Sequence, residues 1–185
     1  AALPEDEQGK RNLALECKNR AKSMFVGKNY LQAELLYTKS IECGGDADGL
    51  APLYGNRSAA RLLMNKATPA LEDAQQAIAT DPTYAKGYFR QGQAYMRLEN
   101  PGRALASFEE GEKLEPQSKV WPAQIKMAKE AAAKQYAAGK KPPETAGIKT
   151  APKPAPKPAP AAAQPEPKAE NNGSKGTASE DVTNI

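Results

Sequence analysis

The sequence has no histidine and only two cysteines among its 185 residues. The lack of histidine removes the usual general base, the Ser-His and Cys-His nucleophile pairs, and the commonest neutral metal ligand. Cys17 and Cys43 could form at most one disulfide bond, and no C-x-x-C pair suggests a zinc or dithiol site. We therefore expect a non-enzymatic protein without catalytic residues, metal or cofactor, in a reducing compartment such as the cytoplasm.

Long apolar runs and a strong net charge are lacking as well. No run of about 18 apolar residues could span a bilayer, and the acidic start of the chain differs from a signal or transit peptide. The 26 Lys and Arg residues nearly balance the 22 Asp and Glu residues, which leaves a net charge of +4. Because this charge is mild and aromatic residues do not interleave with the basic ones, we expect no nucleic-acid binding. We also expect no membrane insertion and a monomeric state.

Composition divides the chain near residue 140. All eleven aromatic residues lie between Phe25 and Tyr136, whereas nine of the sixteen prolines follow residue 140. Residues 140–185 contain Lys-Pro-Ala-Pro repeats and too little large apolar surface to offset the entropy of chain ordering. This segment is predicted to be a disordered linker or tail, and it has no P-x-x-P docking motif. Residues 1–10 are predicted to be a flexible N-terminus.

The segment between these ends, residues 11–139, has the apolar spacing of helices and no strand signals. Thr68-Pro69 and Asn100-Pro101 each place a capping side chain before a proline at the first helical position. Gly44-Gly45, Asp81-Pro82, Glu115-Pro116 and Gly139 are predicted to end helices. The pattern predicts an all-α domain of seven helices, at about residues 11–27, 30–42, 50–64, 69–80, 84–97, 101–114 and 119–138.

The domain contains a repeated pattern of small residues. Three anchor alanines recur at intervals of 37 and 34 residues. A small residue lies twelve positions before each of them, and a proline lies twelve positions after the last two. The anchors are Ala33, Ala70 and Ala104, the small residues Ala21, Ser58 and Gly92, and the prolines Pro82 and Pro116. This spacing resembles the tetratricopeptide repeat, which implies three helix-turn-helix units and a capping helix in a right-handed superhelix. Residues 44–49 form an insertion after the first repeat.

The first helix of each repeat has a basic face. At about 100° per residue, positions 2, 5, 6 and 9 of the repeat form a stripe opposite the packing seam. In a solenoid the first helices line one concave groove, so residues far apart in sequence converge there. Four cations and one amide would suit a peptide with several carboxylates. The residues of this stripe are Lys18, Lys22, Asn56, Lys86 and Arg90.

Four of the five residues match the clamp of the carboxylate-clamp tetratricopeptide co-chaperones, which this chain resembles. Lys22 is the exception, because that family has an asparagine at its position. The resemblance implies binding of the C-terminal Glu-Glu-Val-Asp tails of heat-shock protein 90 and heat-shock protein 70. Phe25, on the same helix as Lys22, would provide an apolar wall for the valine of the peptide.

Each of these residues also has a structural explanation. A single lysine on a helix is usually just solvated, and Asn56 favours the groove most because asparagine is a mediocre helix-interior residue. We expect Arg57 and Arg61 to pair with acids, Cys17 to be buried and Trp121 to pack against the core. Two other functions stay open. One is a repeat scaffold with a different ligand, and the other is the targeting module of a larger prolyl isomerase, phosphatase or chaperone-like adaptor.

Overall fold

A computed structural model describes residues 4, 6–46 and 48–140 of the chain. These residues form seven helices and no strand, which confirms the predicted fold class. The predicted disordered tail lies outside the described residues except for Lys140. The helices are α1 (Glu7–Val26), α2 (Tyr30–Glu42), α3 (Ala51–Leu63), α4 (Ala67–Thr80), α5 (Ala85–Arg97), α6 (Pro101–Leu114) and α7 (Val120–Ala137).

The helices stack in chain order. α1 packs on α2, α3 on α4 and α5 on α6, so that each repeat is a pair of neighbouring helices. Each pair also packs on the next, through α2 with α3, α4 with α5 and α6 with α7, and α3 contacts α5 directly. The buried apolar residues form two clusters, one from α1, α2 and α3 and the other from α3 to α7, so that α3 contributes to both. Among the described residues, no helix is both long and apolar enough to cross a membrane.

The repeated small residues lie in the seams between helices. The anchors Ala33, Ala70 and Ala104 are fully buried. Ser58 is buried as well, and its hydroxyl donates to the carbonyl of Ala70 at 2.7 Å. A Cβ on Gly92 would lie 2.6 Å from Cδ1 and Cζ of Phe108, closer than real Cβ atoms approach other heavy atoms. The sequence pattern thus marks the points at which two helices of a repeat touch.

Replacement of Gly92 by alanine is expected to lower the free energy of unfolding by about 1–3 kcal/mol, the usual cost of overpacking a core. The Phe108 ring is fully buried and packs against the Phe89 ring, with 6.0 Å between the ring centroids. Gly102→Ala is the control, because its Cβ would meet only the Tyr136 hydroxyl, at 4.0 Å. We expect Gly102→Ala to raise stability slightly, since glycine costs a helix roughly 0.5–1 kcal/mol relative to alanine. Urea denaturation followed by circular dichroism measures both, and equal stabilities would contradict the seam argument.

Two helix starts differ from the sequence predictions by more than one residue. α1 begins at Glu7, four residues early, because the side chain of Asp6 caps it by accepting from the Gly9 amide at 2.6 Å. Residues 7–10 therefore lie in α1. α4 begins at Ala67, after Asn65 adopts a φ of 58°, so Thr68 is not its cap. Pro69 falls in the first turn, where its missing N–H leaves no intrahelical bond unmade.

An ion-pair network joins α2, α3 and α4. Arg57 and Arg61 of α3 both bind the carboxylate of Asp73, which is only 3% exposed. Arg57 makes two of these bonds, at 2.7 and 3.0 Å. Arg61 also binds Glu34 of α2, which is paired in turn with Lys66. The expected pairing of both arginines with acids is confirmed.

The remaining structural predictions concern buried side chains. Cys17 and Cys43 are both buried and free. Trp121 at the start of α7 is buried, and the absence of a side chain at Gly111 of α6 makes room for its ring. Its indole nitrogen donates to the Glu115 carbonyl at 3.0 Å. Trp121 is therefore a packing residue, as expected.

Candidate functional site

A cavity of about 250 Å³ opens on the face shared by α1, α3, α5 and α7. The face therefore brings together the first helices of all three repeats and the capping helix, as the superhelix requires. Two of the predicted site residues, Phe25 and Arg90, line this cavity. Its other lining residues are Ala59, Leu62, Leu63, Gln93, Met96, Arg97, Gln124 and Met127.

Arg90 is held on this face by an aromatic ring and an amide side chain. Its guanidinium lies 5.4 Å from the ring centroid of Phe89, and the Phe89 ring packs edge-on against Trp121. Nη1 of Arg90 donates to Gln93 at 2.8 Å. Burial lowers the pKa of Arg90, although the guanidinium stays protonated at neutral pH. No acidic side chain in the described part of the chain pairs with it, so most of its five donors are available to a ligand.

Three further predicted residues lie one helical turn from lining positions. Lys86 precedes Arg90 by four residues on α5, Asn56 precedes Ala59 by three on α3, and Lys22 precedes Phe25 by three on α1. Residues three or four apart share a helix face, so all three extend the same surface. Lys22 and Lys86 are exposed, and Asn56 is half-buried. Across residues 4, 6–46 and 48–140, neither lysine forms an ion pair and the Asn56 amide makes no hydrogen bond.

Lys18 differs from the other predicted residues because an inserted loop covers it. The residue is only 4% exposed. Its ammonium pairs with Asp46 and donates to Asp48 Oδ2 at 2.6 Å. Burial lowers the pKa of Lys18, but the hydrogen bonds to both aspartates outweigh this effect and leave the pKa raised. The structure therefore places Lys18 in an ion pair with the inserted loop, and its role in peptide binding stays a prediction.

The two aspartates were missed in the sequence because they do not follow the repeat pattern. They come from the insertion at 44–49, 28 and 30 residues after Lys18, and no helical period connects them to α1. The only signal was the presence of two acids in a glycine-rich insertion next to a basic stripe. Gly44, Gly45 and Gly49 have φ values of 80–85°, which allows the insertion to fold back sharply.

Tyr84 is a second residue that sequence reasoning missed. It directly precedes α5, and its ring occupies the space left by Gly55 of α3, where a Cβ would lie 2.9 Å from Cε1. Burial raises the pKa of Tyr84, which keeps the phenol protonated at neutral pH. The ring thus joins α3 to α5 beside Asn56 and Lys86.

The capping helix contributes more to the face than expected. Met127 is 55% exposed and lines the cavity together with Gln124. Trp121 and Ile125 do cover the repeat and are buried. Because Met127 lies two residues after Ile125, it points to a different side of the helix. The groove therefore has an apolar and weakly polar end at α7, next to Arg90.

Known proteins share this architecture. Residues 85–118 match the pattern described as tetratricopeptide repeat. The second such domain of human RPAP3, solved in complex with the HSP70 peptide SGPTIEEVD, is 31% identical, with a TM-score of 0.60 over 65% of this chain and 98% of that one. The first domain of Spaghetti (RPAP3), bound to the HSP90 peptide SRMEEVD, is 26% identical, with a TM-score of 0.62 over 66% of this chain and 95% of that one.

Among curated proteins, serine/threonine-protein phosphatase 5 of Mus musculus is 37% identical over 122 residues, which is 64% of this chain and 24% of the phosphatase. The chain spans between 16% and 26% of the length of the curated relatives compared with it. The likeness therefore concerns one domain of those proteins. Seven stacked helices, small residues in every seam and a solved domain matched over nearly its full length lead to one conclusion. The chain belongs to the tetratricopeptide repeat family.

Proposed function

We propose that this domain is a co-chaperone adaptor that binds the acidic C-terminal peptides of heat-shock protein 90, heat-shock protein 70 or both. The observation that carries the proposal is the state of Arg90, a half-buried cation held by Phe89 and Gln93 beside a cavity. A partly buried cation has lost some of its hydrogen bonds to water. An anionic ligand stabilises it strongly, since hydrogen bonds to a carboxylate replace the lost ones. Within the described ranges no acid of the protein serves this purpose.

The chemistry of the surrounding residues fits a peptide that ends in a carboxylate. Asn56 can donate and accept, Lys86 supplies a mobile point charge, and Arg90 can bind a carboxylate through two parallel bonds. Phe25 and the apolar lining residues offer a place for an uncharged side chain upstream of the terminus. Two similar domains were solved with peptides that end in Glu-Glu-Val-Asp, which supports the same ligand class here. A cytoplasmic location accompanies this proposal.

Titration calorimetry with the pentapeptide Met-Glu-Glu-Val-Asp tests the proposal. We expect a dissociation constant in the micromolar range, about −8 kcal/mol, which weakens as salt is added. Amidation of the peptide terminus removes one charge and is expected to weaken binding at least about tenfold, because a charge-assisted hydrogen bond contributes about 1.5–3 kcal/mol. A peptide of reversed sequence is the matched control for net charge. Equal affinity for the free, amidated and reversed peptides would contradict recognition of a chain end.

The role as a module of a larger protein is compatible with this groove. The mouse phosphatase matched above is about four times as long as the matched segment, so its similarity to this chain is confined to one domain. In such a protein the groove would locate an attached activity at the chaperone. If circular dichroism shows that the chain is folded and the pentapeptide still does not bind, we would conclude that the domain is a scaffold for another ligand.

A further inference from the structure

The inserted loop is built so that both of its aspartates face Lys18. Oδ2 of Asp46 pairs with the Lys18 ammonium, while Oδ1 accepts from the backbone amide of Asp48 at 3.3 Å. The Gly49 amide donates to the Asp46 carbonyl at 2.9 Å, which closes the turn. The Asp46 side chain is only 6% exposed, so its charge is balanced by Lys18 and not by water. Lys18 and the loop therefore hold each other in place.

This pairing leaves Lys18 little capacity for a ligand. Two carboxylates already surround one ammonium that has three donors. A ligand carboxylate would have to displace an aspartate or enter beside two negative charges. Displacement of Asp46 would also leave its carboxylate without a counter-ion in a nearly buried position. Asp48 is held less firmly, because its side chain is 66% exposed.

Lys22 lies one turn further along α1 and has the properties that Lys18 lacks. It is exposed, forms no ion pair within the described part of the chain, and shares its face with Phe25 of the cavity. Its charge reaches the same loop, since Lys22 is one of the groups that lower the pKa of Asp48, after the bond and charge of Lys18. Lys22 thus supplies a positive charge to the groove, whereas the charge of Lys18 is neutralised by Asp46 and Asp48.

We propose that Lys22, and not Lys18, is the residue of α1 that binds the carboxylate of the ligand, while Lys18 serves to hold the 44–49 loop. This inference rests on the proposed peptide-binding function. The α1 contact moves by one helical turn, about 5–6 Å, toward Phe25 and the cavity. The groove then favours an acidic peptide in which a side-chain carboxylate lies nearer to the apolar residue of that peptide. Lys22 binds this carboxylate with an ammonium group, where the resembled family has the amide of an asparagine.

Two lysine variants of the full chain test the assignment by calorimetry with Met-Glu-Glu-Val-Asp. We expect Lys22→Met to raise the dissociation constant at least fivefold. We expect the triple variant Lys18→Met, Asp46→Asn, Asp48→Asn, which leaves no aspartate unpaired, to change it less than twofold. Lys113→Met is the matched control, since Lys113 lies on α6, is exposed and pairs, in the described part of the chain, with Glu110 of the same helix. A fivefold loss for the triple variant with unchanged thermal stability, or a loss below twofold for Lys22→Met, would overturn the assignment.

Because Lys18→Met could unfold the loop, a second variant keeps Lys18 and removes its partners. The double variant Asp46→Asn, Asp48→Asn retains the shape of both side chains and frees the ammonium. We expect it to bind the pentapeptide at least threefold more tightly and to lose most of its dependence on Lys22. Unchanged affinity would overturn the inference. The proposed function fails separately, if the unaltered chain does not bind or if Arg90→Glu leaves binding unchanged.

Discussion

Reversal of the charge at Arg90, by replacement with glutamate, is expected to weaken binding of Met-Glu-Glu-Val-Asp by at least about 100-fold. Two charge-assisted hydrogen bonds are lost, at about 1.5–3 kcal/mol each, and a tenfold loss corresponds to about 1.4 kcal/mol. The new carboxylate would also repel the ligand from a position that is partly removed from water. Calorimetry at low and physiological salt measures the effect.

The expected loss has two controls. Arg90→Gln removes the charge without reversing it, and we expect a loss of about tenfold to 100-fold, because about 1.5–3 kcal/mol corresponds to one to two factors of ten. Lys113→Glu makes the same reversal on α6, away from the cavity, and is expected to leave affinity within twofold. Thermal denaturation shows whether the loss of the contact with Phe89 has altered the fold. Binding by a folded Arg90→Glu variant as tight as that of the unaltered chain would exclude the proposed groove.

The sequence predicts most of the fold because the repeat imposes the same constraint three times. The buried seam alanines recur at the same repeat position, and the spacing of their neighbours sets the helix lengths. α2 and α6 have the predicted bounds. The errors occur at single capping sites, where a few hydrogen bonds decide the result. At Asp6 a capping bond adds four residues to α1, and at Thr68 a left-handed residue three positions earlier starts α4 before the predicted cap.

The sequence predicts the candidate site less completely than the fold, because part of the site lies beside a loop that does not follow the repeat. Helical period and repeat number suffice to place Phe25 and Arg90 on one face, and both line the same cavity. The same reasoning gave Lys18 the same role, yet its environment is determined by Asp46 and Asp48. These residues belong to an insertion with no period, so only three-dimensional coordinates bring them to α1. The sequence also gives no sign that Met127 lines the cavity, because α7 is rich in alanine and its faces differ little in polarity.

Truncation of Asp73 to alanine is expected to lower the free energy of unfolding by about 3–5 kcal/mol, the usual cost of removing one partner from a buried ion pair. The change leaves Arg57 and Arg61 without the carboxylate that both bind, at distances of 2.7–3.0 Å. Arg61 keeps the carboxylate of Glu34, whereas Arg57 keeps the Thr38 hydroxyl and its contact with the Tyr54 ring, neither of which is charged. Glu72→Ala, an exposed carboxylate on the same helix, is the control and is expected to shift stability by less than about 0.5 kcal/mol. Guanidinium denaturation measures both.

The expected loss in free energy of unfolding comes mainly from leaving Arg57 without its carboxylate partner. The net stabilisation by the ion pair itself is the smaller part. Burial raises the pKa of Asp73 even though both guanidinium groups act to lower it, so the ionised carboxylate is held against a substantial desolvation cost. Removal of charge from both sides should therefore be tolerated better than removal from one. We expect the double variant Arg57→Met, Asp73→Leu to be at least about 1 kcal/mol more stable than Asp73→Ala, because no guanidinium of Arg57 is left without its partner. A double variant less stable than Asp73→Ala would mean that the pair itself, and not the avoidance of an unpaired charge, stabilises the contact between α3 and α4.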